Sequence, residues 1–167
     1  ESERDKLTGL YNRRTFDNKL QRLFQAQKIN KQRYVASGKI KERRKITPDA
    51  FVWMVIFDID HFKKVNDTYG HMAGDEVIRQ TAAVLRQGIR ETDIAGRYGG
   101  EEFVLILIDT IPEQAYILAE RLREKIEALS VMYENDLIKY TVSMGISAAT
   151  DADEYMKWLE HSDTALY

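Results

Sequence analysis

The residues best suited to chemistry in this sequence are carboxylates placed where apolar runs begin and end. Asp58 follows the run Ala50 to Phe57, while Glu101 and Glu102 follow Gly99-Gly100 and lead into Phe103 to Ile108. If the two runs are neighbouring antiparallel strands, Asp58 comes to lie beside Glu101. Two carboxylates held close repel unless a cation sits between them, and oxygen-only ligands suit Mg²⁺ or Mn²⁺. Mg²⁺ is usually held by one or two carboxylates plus substrate phosphates, so the pair implies a nucleotide. Glycines at 99 and 100 would let that substrate approach the backbone with no Cβ in the way. Read alone, Gly-Gly-Glu-Glu fits a plain hairpin turn with two solvated glutamates equally well.

The stretch Asp58-Ile59-Asp60-His61-Phe62-Lys63-Lys64-Val65-Asn66-Asp67 puts backbone amides and Lys63 just past the first run. Amides and an ammonium there could cradle phosphates. Asn66 and Asp75 suit a guanine edge, because a carboxylate accepts from N1–H and the 2-amino group, which adenine does not offer. Taken singly, each fits helix capping better. Other chemistries are absent from the sequence. There is no Walker loop and no Gly-x-Gly-x-x-Gly, and His61, His71 and His161 lack metal-ligand spacing. No cysteine is present, which removes disulfides, thiolate zinc sites and cysteine nucleophiles.

The elements that must position these groups follow from hydrophobic period. Phe16, Leu20, Leu23 and Phe24 predict a helix over about Asn12 to Gln27. Phe51 to Phe57 is continuously apolar and of strand length, so both its faces must be buried and it is a central strand. Val77, Ile78, Thr81, Ala82, Val84, Leu85 and Ile89 mark one face of a helix from near Gly74. Gly99-Gly100 running into Phe103–Ile108 is a hairpin signal. Ala115, Leu118, Leu122, Ile126 and Leu129 mark a further helix, Leu137 to Ser147 a strand, and Tyr155 to Tyr167 a closing helix or two. This alternation lacks a regular βα rhythm and predicts an α+β fold. At 167 residues it forms one domain, spanning 1–167. The net charge of −2 hides an asymmetry: Lys28 to Ile46 carries eight basic residues against one acid. That segment reads as an exposed loop or a continued, solvated helix. The longest apolar run has eight residues, where a membrane helix needs about twenty. The start at Glu1 and the stop at Tyr167 suggest a fragment of a longer chain.

Four stretches together resemble the GGDEF family, the diguanylate cyclases. Gly99-Gly100-Glu101-Glu102-Phe103 is similar to the family signature in its Glu-Glu form. Arg4-Asp5-Lys6-Leu7-Thr8-Gly9-Leu10-Tyr11-Asn12-Arg13-Arg14 resembles its opening segment. Asp58 to Asp67, continued by Thr68-Tyr69-Gly70-His71 and Gly74-Asp75, resembles its nucleotide-binding stretch. Ser162-Asp163-Thr164-Ala165-Leu166-Tyr167 resembles the start of its closing helix. The resemblance covers nearly the whole chain except the basic segment.

The resemblance implies a palm like that of nucleotidyl cyclases, with a mostly antiparallel central sheet flanked by helices. It also implies that two GTP condense to cyclic di-GMP and two pyrophosphates across a homodimer, one GTP on each subunit. Carried over by position, Asp58, Glu101 and the Ile59 carbonyl would hold two Mg²⁺ (or Mn²⁺) per active site. Glu102 would bind metal or deprotonate the hydroxyl. His61, Phe62 and Lys63 would contact phosphates, and Asn66 and Asp75 would read guanine. Arg90-Glu91-Thr92-Asp93 stands where the family's inhibitory site has Arg-x-x-Asp, so Arg90 and Asp93, with Arg121, would bind the product. A charge pair at a helix end is the simpler reading of that short motif.

The resemblance further implies a regulatory or sensory domain upstream, a cytoplasmic setting, no nucleic-acid polymer as partner and no membrane contact within the fragment. The sequence stops before the lysine and arginine that the family usually places just downstream to grip phosphates. The alternatives are a catalytically silent module that senses cyclic di-GMP or GTP, and a dimerisation scaffold. Intact Asp58, Glu101, Asn66 and Asp75 disfavour the first, because a silent site has no need of metal ligands, and these polar residues disfavour the second as well.

Overall fold

The computed structural model describes residues 2–36 and 52–148. Helix α1 (Arg13–Ala36) opens it, followed by strand β1 (Trp53–Ile59), helices α2 (Phe62–Tyr69) and α3 (His71–Gly88), strands β2 (Ile94–Arg97) and β3 (Glu102–Leu107), helix α4 (Pro112–Glu127), and strands β4 (Val131–Tyr133), β5 (Asp136–Ile138) and β6 (Val142–Ala148). The four-stranded sheet has the order β2-β3-β1-β6, with every neighbour antiparallel. Helices flank this antiparallel sheet, so the fold is α+β, as the alternation predicts.

β1 is central, and both its faces are covered. Met54 and Ile56 pack with Val104 and Ile106 of β3 against Phe16 and Leu20 of α1. Val55 and Phe57 face the other way, into a core with Phe103, Leu105, Val77, Leu85, Ala119 and Leu122. Each of these side chains larger than alanine contributes about 1.5–3 kcal/mol by leaving water. The continuous apolar run therefore reflects helices on both sides of the sheet. Gly96 lets α1 come this close, because a Cβ there would meet the Phe16 ring at 2.6 Å.

Several boundaries differ from the sequence reading. α1 runs on to Ala36, so the start of the basic segment continues a helix; residues 37–51 lie outside the described residues. β1 extends through Asp58 and Ile59, because backbone pairing continues after the apolar run stops. The helix expected from near Gly74 is α3, which starts earlier, at His71, and a separate helix, α2, precedes it across Gly70 with φ +93°. Leu137 to Ser147 is likewise two strands, and β5 belongs to a small hairpin with β4. Glu134, with φ +53°, turns that hairpin. The expected closing helix and its Ser162–Tyr167 motif lie outside the described residues.

Candidate active site

The site is assembled where β1 stops beside the β2–β3 hairpin. Cross-strand register sets Asp58 opposite Glu102 on one side and Ser143 on the other. Strand alternation gives Asp58 and Glu102 the same sheet face. Glu101 was expected beside Asp58, but it lies one position outside the register, at the turn. Its carbonyl accepts the Ile59 N–H at 3.2 Å. The backbones of Asp58, Glu101 and Glu102 thus lie together at one corner of the sheet, and all three residues are half-buried.

The turn is tightly specified. Tyr98 N–H donates to the Glu102 carbonyl at 2.8 Å, with Gly99 N–H 3.4 Å from the same oxygen. A Cβ at Gly99 would press on the Glu102 side chain at 3.3 Å, whereas Gly100 faces open space. Tyr98 also joins a cluster with α1. Its ring meets Phe16 edge-on, and the Arg13 guanidinium lies 4.4 Å over its centroid. Burial raises the pKa of Asp17, although its hydrogen bond with Tyr98 and the Arg13 charge oppose this. Burial also raises the Tyr98 hydroxyl pKa, with the Asp17 charge adding to it.

After β1 the chain turns sharply through His61, a left-handed residue with φ +54°, into α2. No side chain caps that helix, so the first-turn amides at Phe62 and Lys63 have no side-chain acceptor. Asp60 is held at the start of β6: it accepts from Oγ1 of Thr141, just before the strand, at 2.7 Å and from Ser143 Oγ at 2.5 Å. Sequence reasoning gave Asp60 no role, yet it secures the turn that presents these amides. Its position two residues after Asp58 was the available signal, since strand alternation returns it to the same face.

Asn66 on α2 faces Gly74 on α3, and its buried Oδ1 has no hydrogen-bond partner among the described residues. Asp75 follows Gly74 and is exposed, as are His61 and Lys63. A cavity of about 630 Å³ opens along the flank of α2 that carries Lys64 and Thr68. It shares Asp60 and His61 with the site but is lined by none of Asp58, Glu101, Asn66 or Asp75.

Arg90 and Asp93 come together between α3 and β2. Asp93 accepts from Arg90 N–H at 3.0 Å, from Arg90 Nε at 3.3 Å and from Ile108 N–H at 3.1 Å. Arg90 Nη2 also donates to Thr110 Oγ1 at 2.8 Å and to the Ile108 carbonyl. The Asp93 side chain is fully buried, while that of Arg90 is 56% exposed. Arg121 is exposed on α4, the helix that begins just after Thr110.

The family described as "Diguanylate cyclase, GGDEF domain" matches residues 2–167. Diguanylate cyclase A of Treponema denticola is 42% identical over 115 residues, which covers 68% of this chain and 31% of that protein. Response regulator PleD of Caulobacter vibrioides is 36% identical over 166 residues, 98% of this chain and 33% of that protein. The chain therefore spans about a third of the length of these curated relatives. The crystal structure of the GGDEF domain of DgcB from Caulobacter crescentus in complex with c-di-GMP superposes with a TM-score of 0.80 at 30% identity, covering 100% of this chain and 89% of that one. A match over the full described sheet, signature turn and nucleotide-binding stretch leaves one assignment: the chain belongs to the GGDEF family of diguanylate cyclase domains.

Proposed function

We propose that this domain is a diguanylate cyclase that joins two GTP into cyclic di-GMP across a homodimer. The observation that carries the reading is the register of β1 with β3, which sets Asp58 opposite Glu102 and Glu101 against the Ile59 amide. In each half-reaction the ribose 3′-hydroxyl of one GTP attacks the α-phosphorus of the other. A new P–O bond forms, the bond to the β-phosphate breaks, and pyrophosphate leaves while the hydroxyl proton passes to a base. Asn66 offers the guanine edge an acceptor, Oδ1, that has no partner among the described residues. Asp75 supplies a carboxylate on the adjoining helix, which favours guanine over adenine. The uncapped start of α2 offers N–H groups to phosphate oxygens, and Lys63 adds a positive charge.

The donors fit a divalent cation. Asp58, Glu101 and the Ile59 carbonyl are hard oxygen ligands, a set that phosphate oxygens complete around Mg²⁺ or Mn²⁺. Two such ions per site would polarise the α-phosphate, lower the hydroxyl pKa and offset the charge of the leaving pyrophosphate. Glu102 stands across from Asp58 and serves as a further ligand or as the base. Arg90, Asp93 and Arg121 form the proposed product site. Its ligand meets the exposed Arg90 side chain while buried Asp93 holds that arginine in place.

Incubation with GTP and Mg²⁺ tests the reading. Pyrophosphate and cyclic di-GMP should appear together, and Glu101→Ala should abolish both. A folded protein that binds cyclic di-GMP but releases no pyrophosphate would establish the silent sensing module instead.

A further inference from the structure

We propose that Asp5 and Arg97 are positioning residues for this reaction, a clamp that sets where Glu101 and Glu102 stand by gripping the backbone of the turn. The inference rests on the cyclase reading of the site. The turn gains from an outside tether, because Gly100 is exposed and has no side chain with which to brace itself. Arg97 supplies one. Its Nε and Nη2 donate to the Gly100 carbonyl at 3.2 and 2.9 Å. Its Nη1 lies 3.2 Å from both carboxylate oxygens of Asp5. Only the planar guanidinium can grip a carbonyl with one edge and a carboxylate with the other.

Asp5 is fixed in turn. It accepts from Thr8 N–H at 2.9 Å and from Thr8 Oγ1 at 2.7 Å, while its own N–H donates to the Leu10 carbonyl at 2.8 Å. The chain then runs beside β2, with Tyr11 N–H donating to Ala95 and Arg97 N–H to Tyr11. The Arg97 and Asp5 side chains are only 20% and 22% exposed, so solvent screens the pair less than it would a surface bridge. Neither residue lies on β1 or β3, the strands whose register sets Asp58 opposite Glu102. The segment before α1 is thereby wired to the turn that carries the acidic residues, and movement of one must move the other.

The test uses Asp5→Asn, which keeps shape and loses charge, Arg97→Lys, which keeps charge and loses the fork, and the double variant. For each, kcat, KM for GTP, the Mg²⁺ concentration for half-activation, the melting temperature and amide hydrogen exchange over 98–102 are measured. Misplacement by about 1 Å can cost 10²-fold in rate, so kcat should fall about 10- to 100-fold while KM for GTP changes less than about twofold. More Mg²⁺ should be needed, exchange at Gly100 and Glu101 should quicken, and the double variant should be no worse than the worse single one. Unchanged kcat and Mg²⁺ dependence in both single variants would overturn the clamp. So would a loss of rate that vanishes at temperatures where the variants are fully folded. If the unaltered protein releases no pyrophosphate, the cyclase reading fails separately. The exchange experiment then decides the clamp alone: faster exchange at Gly100 in Asp5→Asn supports it, and unchanged exchange refutes it.

Discussion

Gly74 lies so close to Asn66 that a Cβ at residue 74 would run into Asn66 Oδ1, with the tip of the Phe62 ring 3.1 Å away. The crossing of α2 and α3 therefore fixes the orientation of the Asn66 side chain. Gly74→Ala must push Asn66 aside, and overpacking of this kind costs about 1–3 kcal/mol. We expect a lower melting temperature and a higher KM for GTP, read by thermal melts and initial rates. A variant with unchanged GTP affinity would detach Asn66 from nucleotide binding.

Asn66→Ala should act on binding more than on stability, because its Oδ1 has no partner to lose within the described protein. One hydrogen bond of about 1 kcal/mol corresponds to a five- to tenfold rise in KM for GTP. Discrimination against ATP should narrow, and competition assays with both nucleotides measure it.

Glu101→Ala should lower turnover at least about a hundredfold, the scale for removing charge stabilisation at a reacting centre. Glu101 is half-buried at a turn, so stability should change by no more than about 0.5 kcal/mol. Chelation of divalent ions should stop turnover in the unaltered protein. Turnover that survives both treatments would remove the metal role.

Arg90→Ala should relieve inhibition by cyclic di-GMP, as seen in progress curves with and without added product. Asp93→Ala should do more, because its buried carboxylate also accepts from the Arg90 and Ile108 backbone amides. Stranding those donors should lower stability by about 1–3 kcal/mol, which denaturant titration reads. Equal stability of the two variants would contradict this division of labour.

Asp5 gives the pH dependence a sign. Burial pushes its carboxyl up, but the Thr8 hydrogen bonds and the Arg97 charge outweigh this and leave its pKa below the ordinary value of 3.8. A depressed folded pKa stabilises the protein above the unfolded value, and that stabilisation is lost as pH falls through the folded one. Asp5→Asn should therefore flatten the loss of stability below about pH 4, as thermal melts across that range would show.

Much of the fold was legible from apolar spacing, and much of the site from the types of polar residue. Phe51 to Phe57 read as a strand buried on both faces because no polar side chain interrupts it, and β1 is central. Gly99-Gly100 read as a hairpin because glycine suits tight turns, and β2 pairs with β3 there. Helix α2 was not legible, although Phe62, Val65 and Tyr69 stand at helical spacing, because the stretch is short and mostly polar. Spacing from Asp58 hinted at the face Asp60 takes, but its partners were hidden, because Thr141 and Ser143 lie about eighty residues away along the chain.

Local residue pattern by itself determined that this chain makes buried strands, amphipathic helices and a glycine turn beside two glutamates. Those features arise from neighbours a few positions apart, where burial and backbone freedom act directly. Only the tertiary structure decided that Glu102, and not Glu101, stands opposite Asp58, and that Arg97 ties the Gly100 carbonyl to Asp5. Strand register and long-range ion pairs depend on how whole elements pack, and a one-residue shift in register would turn each carboxylate to the other face of the sheet.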